Sequence, residues 1–405
     1  MKVVYLHQYF KTPRVNGGVR SYHFARALSA LGHDVHVVTS DPDPAAERGH
    51  TLELVDGLSV HRIAVPYDNT MGVRRRIVAF LSFAASSARV SRRLGGDVVV
   101  ATSTPLTIAL PALWAIALRP KTRFVFEVRD LWPAAPIEMG YLRNPVLKFV
   151  ARKLERVTYR KADHIVALSD GMASGISESG VAEDKITVIP NIADIDAFRE
   201  SDASQRTVFD DVPALSGRPI VLYSGTYGRV NGLDYMVELA IEAKKIGSSL
   251  AFVAIGTGVE RDRVVEFAGR EDVLGSSFFA LDPVAKSELP NLLARSAFGS
   301  SWVIDIPILE HNSANKFFDT LAAGRPMLVN HGGWQAEVLQ KTGAGWRLDR
   351  DAAKAVRLLE GIIGADEALD RAGEAAGRLA DESYSLPILA RRFTEVVTSG
   401  SRPAK

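Results

Sequence analysis

Short β-branched runs alternate with longer segments of helical spacing along this chain, and the alternation begins again after residue 200. The first set of runs falls at 3–6, 35–39, 97–101, 124–128, 164–167 and 187–189. Helical spacing lies among them, as at 21–31 and 145–160. The second set falls at 220–223, 251–255, 278–279, 299–303 and 327–329, interleaved with helical segments at 233–246, 261–268 and 286–294. Strands alternating with helices mean parallel sheets covered on both faces. The fold class expected is therefore α/β, with two doubly wound, Rossmann-like parallel-sheet domains facing a cleft. Residues 1–200 form the first domain and 201–384 the second, and a terminal helix at 385–400 packs back on the first. The polar segment 201–217, with Pro213, reads as the linker.

At 405 residues, two domains of ordinary size are accommodated. An apolar fraction of 47% supplies ample core, and a net charge of only +2 gives no broad field for nucleic acid. There are no cysteines, which excludes disulfides, thiolate zinc sites and thiol nucleophiles. The N-terminus has no long apolar region followed by a small-residue cleavage site, so no signal peptide is expected. No uninterrupted apolar run reaches ~18 residues, so no membrane span is expected and the cytoplasm is the default.

In open α/β sheets ligands sit beyond the carboxyl ends of the strands. The first strand ends in His7-Gln8-Tyr9-Phe10, and Gly17-Gly18 stands shortly before a helix, where backbone can approach an anion closely. This is not the G-x-G-x-x-G of dinucleotide dehydrogenases. Gly256-Thr257-Gly258 after a strand reads as a tight turn. The first strand of the second domain ends in Tyr223-Ser224-Gly225-Thr226-Tyr227-Gly228-Arg229. Glycines leave room there for a ligand, and Arg229 offers a planar fork for phosphate, opposite the first glycine loop.

SANKFFDTLAAGRPMLV, residues 313–329, reads as a helix with Ser313 as N-cap. Asn315, Lys316 and Asp319 share one side, while Phe318, Leu321 and Ala322 face a core. Gly324 suits a left-handed C-cap and Pro326 forbids continuation before a short strand. The helix start can hold an anion, with Lys316 adding charge and Asp319 accepting from a sugar hydroxyl. A solvated polar face is the alternative reading of the same spacing.

Taken together, these motifs resemble the retaining, family-4 glycosyltransferases of the GT-B fold, over nearly the whole length. The resemblance rests on the Gly17-Gly18 loop, Val188-Ile189-Pro190-Asn191, the Arg229 loop, Ile255-Gly256-Thr257-Gly258 and the helix at 313–323. Phe126-Glu127-Val128-Arg129-Asp130-Leu131-Trp132-Pro133 resembles a branch building bacterial surface polysaccharides, often from N-acetylated amino sugars carried on UDP. The resemblance implies that Arg229 binds the donor diphosphate, with Gly228 in its loop. Gly17 and Gly18 approach the same diphosphate, and the loop Asn312, Ser313, Ala314 and Asn315 turns backbone amides to the donor. Asp319 matches the second acid of the family's E-x7-E motif, which binds ribose, and Asp130 lies among acceptor-side and sugar contacts.

Two departures stand out. His311 occupies the position of the first Glu, with Glu310 one residue early. No Lys follows Arg229 closely, so Lys316 is the expected second cation. By the same resemblance, leaving-group charge falls on cations and helix N-termini, with no metal and no cofactor. Asp41-Pro42-Asp43, a D-x-D by letters, reads as a turn. Retention implies front-side attack guided by the leaving phosphate, so no protein nucleophile is nominated.

The expected activity is transfer of a sugar, an N-acetylated hexose by that branch, from a nucleotide-sugar donor to a saccharide or lipid-linked acceptor. Two other readings stay open: a GT-B-fold nucleotide-sugar epimerase, and a non-catalytic partner subunit. Residues 71–94 join an apolar stretch to flanking arginines. They read either as a helix lying in an anionic membrane surface at its inner face, or as a helix packed on the sheet with a basic rim.

Overall fold

The computed structural model describes residues 1–13, 15, 17–43, 49–67, 71–365 and 367–400. The chain divides into two compact units, Met1–Pro190 with Leu389–Lys405, and Asn191–Ile388.

The first unit holds strands β1 (Lys2–Leu6), β2 (Asp34–Asp41), β3 (His50–Val55), β4 (Leu58–Ala64), β5 (Val98–Thr102), β6 (Arg123–Val128), β7 (His164–Ala167) and β8 (Ile186–Val188). Their order is β3-β4-β2-β1-β5-β6-β7-β8, and every neighbouring pair is parallel except β3 with β4. β5 is buried at every residue, as a parallel strand covered on both faces requires. The terminal helix Leu386–Thr398 contributes Phe393, stacked on Phe24 at 4.3 Å between ring centroids.

The alternation of β and α did not reveal the β3–β4 hairpin. Its outer strand is exposed almost throughout, so it carries little of the apolar signal of a buried strand. The turn did carry a signal, because Asp56 and Gly57 both adopt positive φ, the requirement of a two-residue hairpin loop.

The second unit holds β9 (Ile220–Ser224), β10 (Ala251–Ile255), β11 (Phe278–Leu281), β12 (Phe298–Ser301), β13 (Met327–Val329) and β14 (Gly345–Arg347). All its pairs are parallel, in the order β11-β10-β9-β12-β13-β14. That is the doubly wound order 3-2-1-4-5-6, with the switch point between β9 and β12. In the first unit the corresponding reversal lies between β1 and β5.

The expected linker at 201–217 is instead part of the second unit. It forms the 3-10 turns Val208–Asp211 and Pro213–Leu215, and buries Phe209 and Leu215 in that unit's core. Two apolar anchors suffice to dock a polar segment, which average composition hides. The division accordingly falls at Pro190/Asn191 rather than at 200/201. Helix Val73–Leu94 packs Phe83, Ala84 and Val90 into the core and leaves Ile77, Val78 and Leu81 exposed. Among the described residues no helix is long and apolar enough to cross a membrane.

Candidate functional site

Beyond the carboxyl end of β9 the chain turns through Gly225, and Lys316 enters from helix Asn315–Ala322, which follows β12. Lys316 Nζ donates to the Tyr223 hydroxyl at 3.4 Å and lies 4.6 Å from that ring's centroid. The hydroxyl in turn donates to the Thr226 carbonyl at 2.7 Å. A Cβ at Gly225 would stand 3.2 Å from Lys316 Cε, so the missing side chain is the space the lysine uses. Burial draws the Lys316 pKa down to about 8, against the pull of Asp319. Asp319, one turn further along, is pushed up to about 6 by burial. Lys286 and Lys316 oppose that rise, and Asp194 adds to it.

Glycines at 256 and 258 belong to this loop's support. At Gly256, with φ +147°, a Cβ would overlap the Gly225 carbonyl, and at Gly258 one would meet the Tyr227 backbone. The two strand-end loops also share backbone bonds, Gly225 N–H to Ile255 at 3.0 Å and Tyr227 N–H to Thr257 at 2.9 Å. Gly228 precedes the 3-10 turn Arg229–Asn231. Arg229 is exposed and pairs with Glu260 at 3.2 Å, while Glu260 also holds Arg263 at 2.7 Å. The expected phosphate fork is thus already engaged by a carboxylate, a partner that local spacing did not announce.

The segment leading into helix Asn315–Ala322 is pinned from three sides. Glu310 accepts from the Gly332 N–H at 3.2 Å, the Asn312 carbonyl from Trp334 Nε1 at 2.9 Å, and the Ser313 carbonyl from Asn191 Nδ2 at 2.6 Å. His311 closes the 3-10 turn Pro307–His311. Ser313 is not the N-cap. Ala314 takes that position, and no side chain caps the helix. The Ser313 hydroxyl is buried without a hydrogen-bond partner, one residue too early to reach the first turn. The Cβ of alanine cannot accept a bond, so the first-turn amides of Asn315 and Lys316 have no side-chain acceptor. Phe317, Phe318 and Leu321 are fully buried, Asn315 is exposed and Gly324 is left-handed at φ +60°.

In the first unit Gly17, at φ +139°, and Gly18 precede helix Arg20–Ala30, whose N-terminus also lacks a side-chain cap. Arg20 turns inward, bonding Glu127 at 2.8 Å and the Ile189 carbonyl at 2.7 Å, and reaching the Pro190 carbonyl. Thr102 donates to the other Glu127 oxygen at 2.8 Å. Burial lowers the Arg20 pKa, and Glu127 opposes the shift. Asp130 is exposed and accepts from Thr104 at 2.6 Å. His7, at the end of β1, lies 3.4 Å from Arg129 Nη1. Its pKa is held well below the usual value by burial and then by Arg129.

Asn191, Gly332 and Trp334 hold the lead segment, and the residue-type reading did not single them out for that role. Asn191 alone carried a signal, because it ends the Val188-Ile189-Pro190-Asn191 motif. Arg20 and Glu127 form a buried pair 107 residues apart in sequence, a separation that pattern reading cannot bridge.

Residues 17–192 match the family described as a glycosyl transferase 4-like domain. Over 280 residues the chain is 24% identical to WcaI of Escherichia coli (strain K12), named as a colanic acid biosynthesis glycosyl transferase. That alignment covers 66% of this chain and 68% of that protein. Sucrose-phosphate synthase from Thermosynechococcus elongatus superposes with a TM-score of 0.76 at 14% identity, covering 98% of each chain. HepE of Anabaena, solved with UDP and glucose, gives a TM-score of 0.70 at 13% identity, covering 98% of this chain and 100% of that one. At such identities the structures share a fold, and that fold is GT-B.

Proposed function

We propose that this chain, a glycosyltransferase of the family-4 type, moves a sugar from a UDP-linked donor, with retention, to a saccharide or lipid-linked acceptor. The setting is bacterial surface-polysaccharide assembly, in keeping with the name of WcaI. The UDP choice draws on HepE, solved with UDP and glucose. An N-acetylated hexose is the sugar that the motif resemblance favours.

The observation that carries the reading is Lys316, a cation packed on Tyr223 and Gly225 at the switch point of the second unit. It stands in the first turn of an uncapped helix. A diphosphate there would meet a full charge, free amides and the positive helix end together. Arg229 is assigned the same anion, for which it exchanges or shares its exposed bond to Glu260. Glu260 keeps its bond to Arg263 at 2.7 Å when Arg229 turns to the anion, so its carboxylate is not left unpaired. Asp319 is assigned the ribose hydroxyls, and Glu310, His311, Asn312, Ser313, Ala314 and Asn315 the donor's sugar side. Gly17 and Gly18 serve as close-approach backbone for an anion, and Asp130 lies on the acceptor side.

Cleavage of the anomeric bond leaves charge on the departing phosphate. Preorganised cations stabilise that charge more than they stabilise the intact donor, and losing one such group typically costs ~10²–10³ in rate. Helix Val73–Leu94, with Arg74, Arg75 and Arg76 at its start, is proposed to touch an anionic membrane along its exposed edge.

The test is incubation with UDP-sugars and candidate acceptors, following anomeric configuration by NMR. An α-linked product from an α-linked UDP donor supports the reading. An inverted product refutes retention. Equilibration of the donor sugar without acceptor would identify an epimerase instead.

A further inference from the structure

Helix Pro145–Lys161 is anchored at one end only. Thr158 and Tyr159 are buried near its C-terminus, and Tyr159 packs on Phe126 at 6.1 Å between ring centroids. The first turns stand in solvent. Asn144 caps them through bonds to the Val146 and Leu147 N–H groups, so the projecting end is a formed helix rather than a frayed one. Its side chains are apolar: Val146 is 66% exposed, Phe149 68% and Val150 53%, with Leu147 beside them. A single exposed apolar residue needs no explanation, but four on adjoining turns mark a contact surface.

The rest of the exposed surface is basic. Lys148, Arg152, Lys153, Arg156 and Arg160 line a groove of about 490 Å³ along the helix together with Pro145 and Phe149. From 143 to 161 the sequence holds seven basic residues (the five above, Arg143 and Lys161) against one acid, Glu155. Glu155 is engaged with Tyr159, which removes it from the basic stripe. The whole chain carries only +2, so this charge is a local feature.

We propose that helix Pro145–Lys161 seats this protein on an anionic lipid bilayer. Phe149, Val146 and Val150 enter the acyl boundary, and the following arginines and lysines lie at headgroup level. Charge complementarity selects that occupant. A row of cations beside an apolar tip matches anionic headgroups above hydrocarbon, whereas a protein partner's apolar surface would leave the cations unanswered. Neither component is sufficient alone, because a small apolar insertion gives marginal, reversible binding that a polybasic segment makes stable. The inference deepens the reading of an enzyme working at a membrane, and adds a seat distinct from helix Val73–Leu94.

The experiment is flotation of the full chain with phosphatidylcholine vesicles, with and without phosphatidylglycerol. Wild type is compared with Phe149→Ser/Val150→Ser, with Arg152→Gln/Lys153→Gln/Arg156→Gln, and with Arg74→Gln/Arg75→Gln/Arg76→Gln. All the substituted positions on helix Pro145–Lys161 are exposed, and unchanged melting confirms folding. Wild type should float with the anionic vesicles. The apolar pair should lower partitioning at least about tenfold, from lost side-chain burial. The basic triple should lower it roughly 100-fold, at about fivefold per residue. A Phe149→Trp variant should shift its emission to the blue on adding anionic vesicles.

Wild-type flotation of both helix Pro145–Lys161 variants would overturn the inference. If only the Arg74/Arg75/Arg76 variant fails to float, the membrane reading stands on the other helix and this one falls. Absence of wild-type flotation would remove both. A wild-type dimer that the Phe149/Val150 variant dissolves, with flotation unchanged, would make the face a self-interface and likewise overturn the inference.

Discussion

Lys316 and Asp319 carry opposite shifts, and the signs determine how donor affinity should depend on pH. Burial holds the Lys316 pKa near 8 in the free protein, so its positive form is lost as pH rises through that value. Affinity for a diphosphate should therefore fall above about pH 8. Asp319 is raised to about 6, so its carboxylate is lost as pH drops through that value, and ribose binding should weaken below it. A UDP-sugar, whose diphosphate does not titrate in this range, should show bell-shaped affinity by calorimetry. Asp319→Asn should remove the acid limb, and Lys316→Ala the alkaline one. A flat profile in the wild type would contradict both assignments. The free protein carries the linked sign for Lys316. Its ordinary value is 10.5, so the unfolded chain binds more protons between about 8 and 10.5, and stability should rise with pH across that window. The first unit offers a separate residue-scale test. Glu127→Gln leaves the buried Arg20 charge unanswered and should destabilise by about 3–5 kcal/mol in urea unfolding. The helical positions of Lys316 and Asp319 were legible from spacing on one face. The Arg20–Glu127 and Arg229–Glu260 pairs were not, since each joins residues that only the fold brings together.

At the scale of elements, the strand-end loop after β9 owes its shape to the loop after β10. Gly256→Ala would force its Cβ into the Gly225 carbonyl and displace the ground on which Lys316 rests. UDP affinity should fall at least about tenfold although the residue is assigned no ligand contact, because a misplacement of about 1 Å is enough to cost 100-fold in a positioned site. Unchanged affinity in a folded Gly256→Ala protein would show that the two loops are not coupled. The reading of Gly256-Thr257-Gly258 as a tight turn named a local reason for glycine, whereas the structure gives a tertiary one. The helix after β12 was legible in its apolar face, in Gly324 and in Pro326. Its cap was not, because Ser313 is a better capping residue than Ala314, yet the bond from Asn191 to the Ser313 carbonyl holds it outside the first turn.

For the whole molecule, the alternation of β and α runs sufficed to anticipate two doubly wound units, since most strands of a covered parallel sheet read as short apolar runs. Where one unit ends was less legible, because polar composition does not distinguish a free linker from a segment docked by a few apolar side chains. Phe209→Ala separates the two. In a linker it would be neutral, but at its buried position it should cost about 3–5 kcal/mol of stability, read from the denaturation midpoint. The central claim is that Arg229 and Lys316 together hold the donor diphosphate. Calorimetric titration of UDP into wild type, Arg229→Ala and Lys316→Ala tests it most directly. Each variant should bind at least about tenfold more weakly, as expected for loss of a charge-assisted bond, and Arg229→Lys should recover only part of the loss. Wild-type affinity in both alanine variants would contradict the claim.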